Sequence, residues 1–172
     1  MDDLPIHPGT YALIIRLSDT FPLVVGKLGR SVFSSGIYVY LGSAHGPGGI
    51  KARLGRHLRG GGRIHWHIDY LLEVGEVQAY GVIGSKLTSP AQIPLECQWA
   101  QFLTNQDSAE IPVPGFGASD CKAGCQSHLI QFPVMDISDY LSEFFEMACS
   151  ARWSEAGVYM YRDLLSGQAL SL

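Results

Sequence analysis

From Thr10 to Leu17 the chain reads TYALIIRL, a β-branched apolar run that predicts a first strand directly after His7-Pro8-Gly9. PLVVGKL at 22–28 and SVFSSGIYVYLGSA at 31–44 follow, and their short glycine interruptions predict two more strands joined by tight turns. Within GIYVYLG, Tyr38 and Tyr40 fall on one face of a strand, while Ile37, Val39 and Leu41 fall on the other. After the break HGPGG at 45–49 the period changes. In IKARLGRHLRG, Ile50, Leu54 and Leu58 recur every fourth residue, which predicts a helix with an apolar stripe. Arg53 and His57 are also four apart, stacked on a neighbouring face. Gly60-Gly61-Gly62 ends that helix.

HWHIDYLLEV at 65–74 has a spacing that fits strand and helix alike. VQAYGVIGS at 77–85 alternates and predicts a strand. Pro94 opens LECQWAQFL, in which Leu95, Trp99, Phe102 and Leu103 form a helical apolar stripe. The stretch at 111–128 is loop-rich, and LIQF at 129–132 predicts an edge strand. Beyond Pro133, DISDYLSEFFEMACSARW predicts an acidic amphipathic helix. Its Tyr140, Phe144, Phe145 and Trp153 suit core packing or a homodimer face. No internal repeat or low-complexity tract interrupts the order. The expected fold class is α+β, a small antiparallel sheet flanked by helices. Two parts are expected: a domain over 1–132 and a helical extension over 133–172, packing on the domain or on a partner.

A chain of 172 residues is long enough to bury a proper core. With 47% apolar and 16% charged residues, disorder is not the expectation. No apolar run reaches the roughly 18 residues of a membrane span, and MDDLPIHPG lacks the apolar stretch of a secretory signal. With only four cysteines as well, reduced thiols and a cytoplasmic setting are the expectation. Charge alters the picture most. The formal net charge is −4, yet residues 21–67 hold no Asp or Glu and carry seven Lys or Arg. Lys51, Arg53, Arg56, Arg59 and Arg63 crowd one short run with His57, His65 and His67. Such a surface attracts polyanions, a phosphate backbone above all.

These residues also resemble a known family. Gly9-Thr10-Tyr11, Tyr40-Leu41-Gly42 with Ser43-Ala44, and Arg53-Leu54-Gly55-Arg56-His57 are similar to the motifs of the GIY-YIG nuclease superfamily. HWHIDYL at 65–71 and GFGASDC at 115–121 resemble one branch of it, found alone or fused to DNA glycosylase domains. The resemblance runs from about Gly9 to Leu103, and the branch-specific strings extend it to about Phe132. It implies a three-stranded antiparallel core sheet and hydrolysis of nucleic-acid phosphodiesters with one divalent cation, Mg²⁺ or Mn²⁺. The implied substrate is DNA or RNA, with DNA repair as the setting. Position by position, it implies catalytic roles for Tyr11, Tyr40, Arg53 and His57, and a metal-binding role for Glu96. Two departures stand out. FPLVVGKLGRSVFSS separates the first two motifs, and a literal Gly36-Ile37-Tyr38 overlaps the second. Tyr11 is therefore preferred with Tyr38 in reserve, and Glu73 and Glu76 remain rivals to Glu96.

The implied chemistry needs an activated water and neutralised charge on the phosphorus. A phenol is a poor base at its ordinary pKa near 10, and a neighbouring cation favours phenolate. Tyr40 is the candidate to deprotonate or orient the water, with Tyr11 beside it. Arg53 presents a fork that matches two non-bridging oxygens, and His57 contacts phosphate or moves a proton. Glu96 suits Mg²⁺, which takes few carboxylates and keeps its waters. Ser43, His45, Lys51, Arg56, Arg59, Arg63 and His67 are expected along the nucleic acid, with the Gly46–Gly49 turn offering backbone N–H groups. His65, His67 and Asp69 alternate and suit the same cleft, a metal bound as His-x-His-x-Asp, or a plain strand face. Cys121, Cys125 and His128, with Cys97 or Asp120 as a fourth, offer zinc ligands. Their C-x3-C-x2-H spacing is not a standard ribbon, so small buried thiols are the expectation. The main alternative to an enzyme is a binding module that keeps the basic groove without turnover.

Overall fold

The computed structural model describes residues 4–84, 93–133, 161–163 and 169–170. In chain order the elements are β1 (Gly9–Leu17), β2 (Phe21–Val25), β3 (Gly29–Phe33), β4 (Gly36–Ala44), α1 (Gly49–Arg59), α2 (His67–Leu72), β5 (Glu76–Gly84), α3 (Leu95–Thr104), β6 (Leu129–Phe132), β7 (Tyr161–Asp163) and β8 (Ala169–Leu170). The main sheet has the order β6-β4-β1-β5-β7-β8, and its pairings are antiparallel. Its centre, β4-β1-β5, is the expected three-stranded core, and LIQF adds the predicted edge strand. The fold class is α+β.

β1 is buried along nearly its whole length because both faces of the sheet are covered. Tyr11, Leu13, Ile15 and Leu17 point to one face, where Ile50 and Leu54 of α1 and Ile68 and Leu71 of α2 pack on them. Ala12 and Ile14 point to the other, under Trp99, Ala100 and Leu103 of α3. A continuous apolar run in an antiparallel strand thus reflects helices on both sides rather than one wet face. Tyr38 and Tyr40 share the α1 face, as their alternation predicts.

The long insertion makes a separate hairpin of β2 and β3 rather than further strands of the main sheet. Its inner residues, Val25 and Phe33, are fully buried against the α1 face. The ambiguous HWHIDYLLEV segment contributes α2. Asp69 accepts the backbone N–H groups of His65 and Trp66 at 2.8 Å each, which satisfies donors at the helix start. His67 and Asp69 consequently sit on a helix and not on one strand face. The C-terminal helix expected after Pro133, its aromatic set and its dimer role lie outside the described residues. Residues 161–163 and 169–170 of the expected 133–172 helical extension are instead strands that continue the main sheet beyond β5. No helix among the described residues is long and apolar enough to cross a membrane.

Candidate active site

Tyr11 of β1 and Tyr40 of β4 lie on the same face of the sheet, and α1 brings His57 down between them. The Tyr11 and Tyr40 ring centres are 6.4 Å apart, and each lies 6.0–6.5 Å from the His57 ring. His57 Nε2 is 3.1 Å from the Tyr11 hydroxyl, and its Nδ1 is 3.2 Å from Asp69 Oδ1. A carboxylate only accepts, so Nδ1 carries the proton and Nε2 accepts from Tyr11. Arg56 completes the chain with a fork on Asp69, at 2.9 and 2.8 Å. The result is a buried relay, Tyr11 to His57 to Asp69 to Arg56.

Glycine makes this arrangement possible at the strand pair. Tyr11 stands opposite Gly42 in the register, and a methyl built on Gly42 would overlap the Tyr11 ring. The glycine of the Tyr40-Leu41-Gly42 motif is therefore the seat of the first tyrosine.

Burial sets the protonation states. Desolvation pushes the Tyr11 and Tyr40 phenols well above their ordinary range, and the opposing charge of Arg53 does not overcome it. The expected phenolate is thus absent from the resting site, and both tyrosines are neutral donors. Burial, opposed by Asp69, pulls His57 down to about 4, so its ring is neutral near pH 7. Asp69 falls to about 2: the hydrogen bond from Arg56, with those from Trp66 and His65, outweighs the cost of burying its charge.

Arg53 lies at the mouth of this cluster. It donates from Nη1 to the carbonyl of Ser43, and its guanidinium carbon lies 4.4 Å from the centre of the half-exposed Trp66 ring. Asp69 forms its ion pair with Arg56, and among the described residues no ion pair involves Arg53. Glu96 approaches from the opposite layer. It is in the first turn of α3, and its Oε2 accepts from Thr10 Oγ1 at 3.4 Å. Thr10 pairs with Ser43. Arg53 and Glu96 thus reach the two members of one residue pair at the end of the sheet, each from its own face. The partly exposed Glu96 carboxylate is a hard oxygen donor of the kind that Mg²⁺ or Mn²⁺ accepts. Its rivals lie elsewhere. Glu76 pairs with Arg16, five residues along β1 from Tyr11 and so about 17 Å away at strand spacing. Glu73 is exposed at the far end of α2.

Other expected residues fall into distinct places. Tyr38 donates to the Ser34 carbonyl at 2.6 Å and packs on Phe33, outside the relay. Arg56, expected on nucleic acid, is committed to Asp69 and to the Arg63 carbonyl at 2.7 Å. His67 accepts from the Gly117 N–H at 3.1 Å and lies against Phe116, so it ties a loop in place. The Gly49 amide of the turn and the first amides of α1 are already engaged. Gly49, Ile50 and Lys51 donate to the carbonyls of Gly46, His7 and Pro5. His45, Lys51, Arg59 and Arg63 are exposed and form the basic rim.

Asp69 and Trp66 are the residues that spacing understated. The signal for Asp69 was its place three residues beyond a helix-start position, a capping pattern hidden by the alternation of His65, His67 and Asp69. Apart from this centre, Cys97, Cys121, Cys125 and His128 have converged, their ligand atoms all within 4.8 Å of one another.

The family model described as a domain of unknown function, DUF123, matches residues 10–150. No curated protein and no solved structure matches the chain.

Proposed function

The chain belongs to the DUF123 family, and on that premise we propose that it is a divalent-metal-dependent endonuclease acting on DNA. The observation that carries this reading is the meeting of Tyr11, Tyr40 and His57 beneath an arginine that has no carboxylate partner among the described residues. The chemistry follows from the residues. Arg53, held by Ser43 and Trp66, receives a backbone phosphate on its guanidinium edge, where bidentate contact neutralises two oxygens. Tyr40 orients a water toward the phosphorus. As the water oxygen bonds to phosphorus and the bond to the leaving oxygen breaks, Tyr11 takes the water's proton while passing its own to His57 Nε2, and the leaving oxygen takes a proton from solvent. Asp69 steadies the imidazolium that forms. Glu96, which reaches the end of the sheet from the α3 side, would hold Mg²⁺ or Mn²⁺, and the cation would supply positive charge to offset that of the phosphate. Arg59, Arg63 and Lys51 align the rest of the strand. RNA fits the same contacts, and DNA repair is the setting the resemblance implies.

One observation favours a second reading, a binding module without turnover. Both phenols are buried and held neutral, so their hydroxyls reach a phosphate only if the cleft opens. A single experiment separates the two. Under the nuclease reading, supercoiled plasmid is nicked with Mg²⁺ and nicking stops with EDTA. Arg53→Ala and Glu96→Ala lower the rate by about 10²-fold or more while the chain stays folded. Salt-sensitive binding with no nicking in Mg²⁺ or Mn²⁺ would establish the second reading instead.

A further inference from the structure

Cys97 stands at the start of α3, whereas Cys121, Cys125 and His128 come from the loop that leads into β6. Nothing in their sequence spacing brings the first to the other three. The fold does. Cys97 Sγ is 3.5 Å from Cys121 Sγ and 3.6 Å from His128 Nε2. All four donor atoms lie within 4.8 Å of one another.

From this convergence we propose that Cys97, Cys121, Cys125 and His128 form a closed structural zinc site. A tetrahedral zinc with bonds of about 2.3 Å to sulfur and about 2.0 Å to nitrogen has ligand–ligand edges of roughly 3.5–3.8 Å. The two distances above match those edges. They do not match a disulfide, whose sulfurs lie about 2.05 Å apart. The donors are soft thiolates with one imidazole, the set that selects zinc over the hard cations suited to Glu96. Four protein ligands leave no open position, which marks a structural site rather than a catalytic one.

The surroundings suit the same assignment. His128 turns Nε2 toward Cys97, in position to join the thiols around one ion. Cys97 and His128 are buried, while Cys121 and Cys125 are partly exposed, so a metal has a way in.

The site also has a use. It fastens the 115–128 loop to the helix that carries Glu96, next in sequence to Cys97. That loop supplies Phe116, which packs on Tyr40 at 6.2 Å, and Gly117, which donates to His67. Zinc here would set the wall behind Tyr40 and the position of α3, whatever chemistry the front of the cleft performs.

The test measures metal, not nuclease activity. The full chain, purified without chelator from zinc-supplemented medium, should carry about one zinc per chain by elemental mass spectrometry. Cobalt(II) exchanged into it should give the visible bands of a tetrahedral site and thiolate-to-cobalt charge transfer. Cys121→Ser and Cys125→Ser lie at the more exposed ligands and should fold. Each should weaken zinc binding by at least about tenfold and raise maleimide labelling of the remaining thiols. Arg53→Ala should keep its zinc. The proposal is overturned by a reduced chain that takes up no zinc, or by a Cys97–Cys121 disulfide in the freshly isolated protein. Zinc content equal in wild type and both serine variants overturns it as well.

Discussion

At the scale of single residues, the Tyr11–His57–Asp69–Arg56 chain makes stability depend on pH in a direction that can be worked out. His57 is pulled from an ordinary 6.5 to about 4 when folded, so the unfolded chain takes up its proton first. Its effect is absent above about pH 6.5 and grows as pH falls toward 4. Two and a half pKa units correspond to a loss of at most about 3 kcal/mol. Asp69 acts lower still. Its pKa is depressed to about 2, so its ion pairs contribute fully above about pH 4 and are lost as pH falls toward 2. Urea midpoints at pH 7.0, 5.5 and 4.5 should therefore drop steadily. In His57→Gln the fall between 6.5 and 4 should be shallower by about one proton, because every other titrating group is common to both chains. Equal slopes in the two would mean that His57 titrates normally and is not sealed between Tyr11 and Asp69.

Elements were legible where local pattern and tertiary demand agree. TYALIIRL, GIYVYLGSA, IKARLGRHLR and VQAYGVIG formed what their periods predict, since each buries its apolar positions against layers the same pattern supplies. HWHIDYL was not legible, because its alternation mimics a strand while Asp69, by accepting two amides, starts a helix. Nor was the seating of Arg56 on Asp69, a pairing across 13 residues that no short window contains. The cluster of Cys121, Cys125 and His128 was legible with Cys97 and Asp120 as rival fourth members; that Cys97 is the one that joins it depends on how α3 meets a loop more than 20 residues later. SVFSSGIYVYLGSA predicts one strand and forms two, β3 and β4, so neither the β2–β3 hairpin nor its separate layer was legible. Phe33 shows what that layer does, since it is fully buried against Tyr38 and Phe116, 6.1 and 6.0 Å away. Phe33→Ala should cost about 3–5 kcal/mol in urea unfolding. Val24→Thr and Val32→Thr, on the exposed side of the same hairpin, should change it by no more than about 0.5 kcal/mol. A small effect for Phe33→Ala would make the insertion an ornament rather than a support for the strand that carries Tyr40.

Over the whole molecule, charge is divided more sharply than composition suggests. The chain is net acidic at −4, yet the rim around Arg53 is basic because residues 21–67 supply seven cations and no acid. Under the proposed function, exposed cations in an acid-free stretch would attract a polyanion over long range and orient a nucleic-acid strand before contact forms. The structure refines which cations take part. Arg59 and Arg63 are exposed, whereas the guanidinium of Arg56 is engaged with Asp69. Binding to a short DNA duplex should weaken linearly with the logarithm of salt concentration, by about 0.9 in slope per phosphate neutralised. Arg59→Gln and Arg63→Gln should each lower that slope by about one. Arg56→Gln should leave the slope nearly unchanged and instead lower stability, because Asp69 is then left half-buried without its fork. Lys27→Gln, on the turn of the hairpin, supplies the control for a cation in the acid-free stretch but outside the rim. If Arg56→Gln lowered the slope as much as Arg59→Gln and Arg63→Gln, the strand would lie across the α1–α2 junction. The phosphate would then approach the relay from Asp69 and not from Arg53.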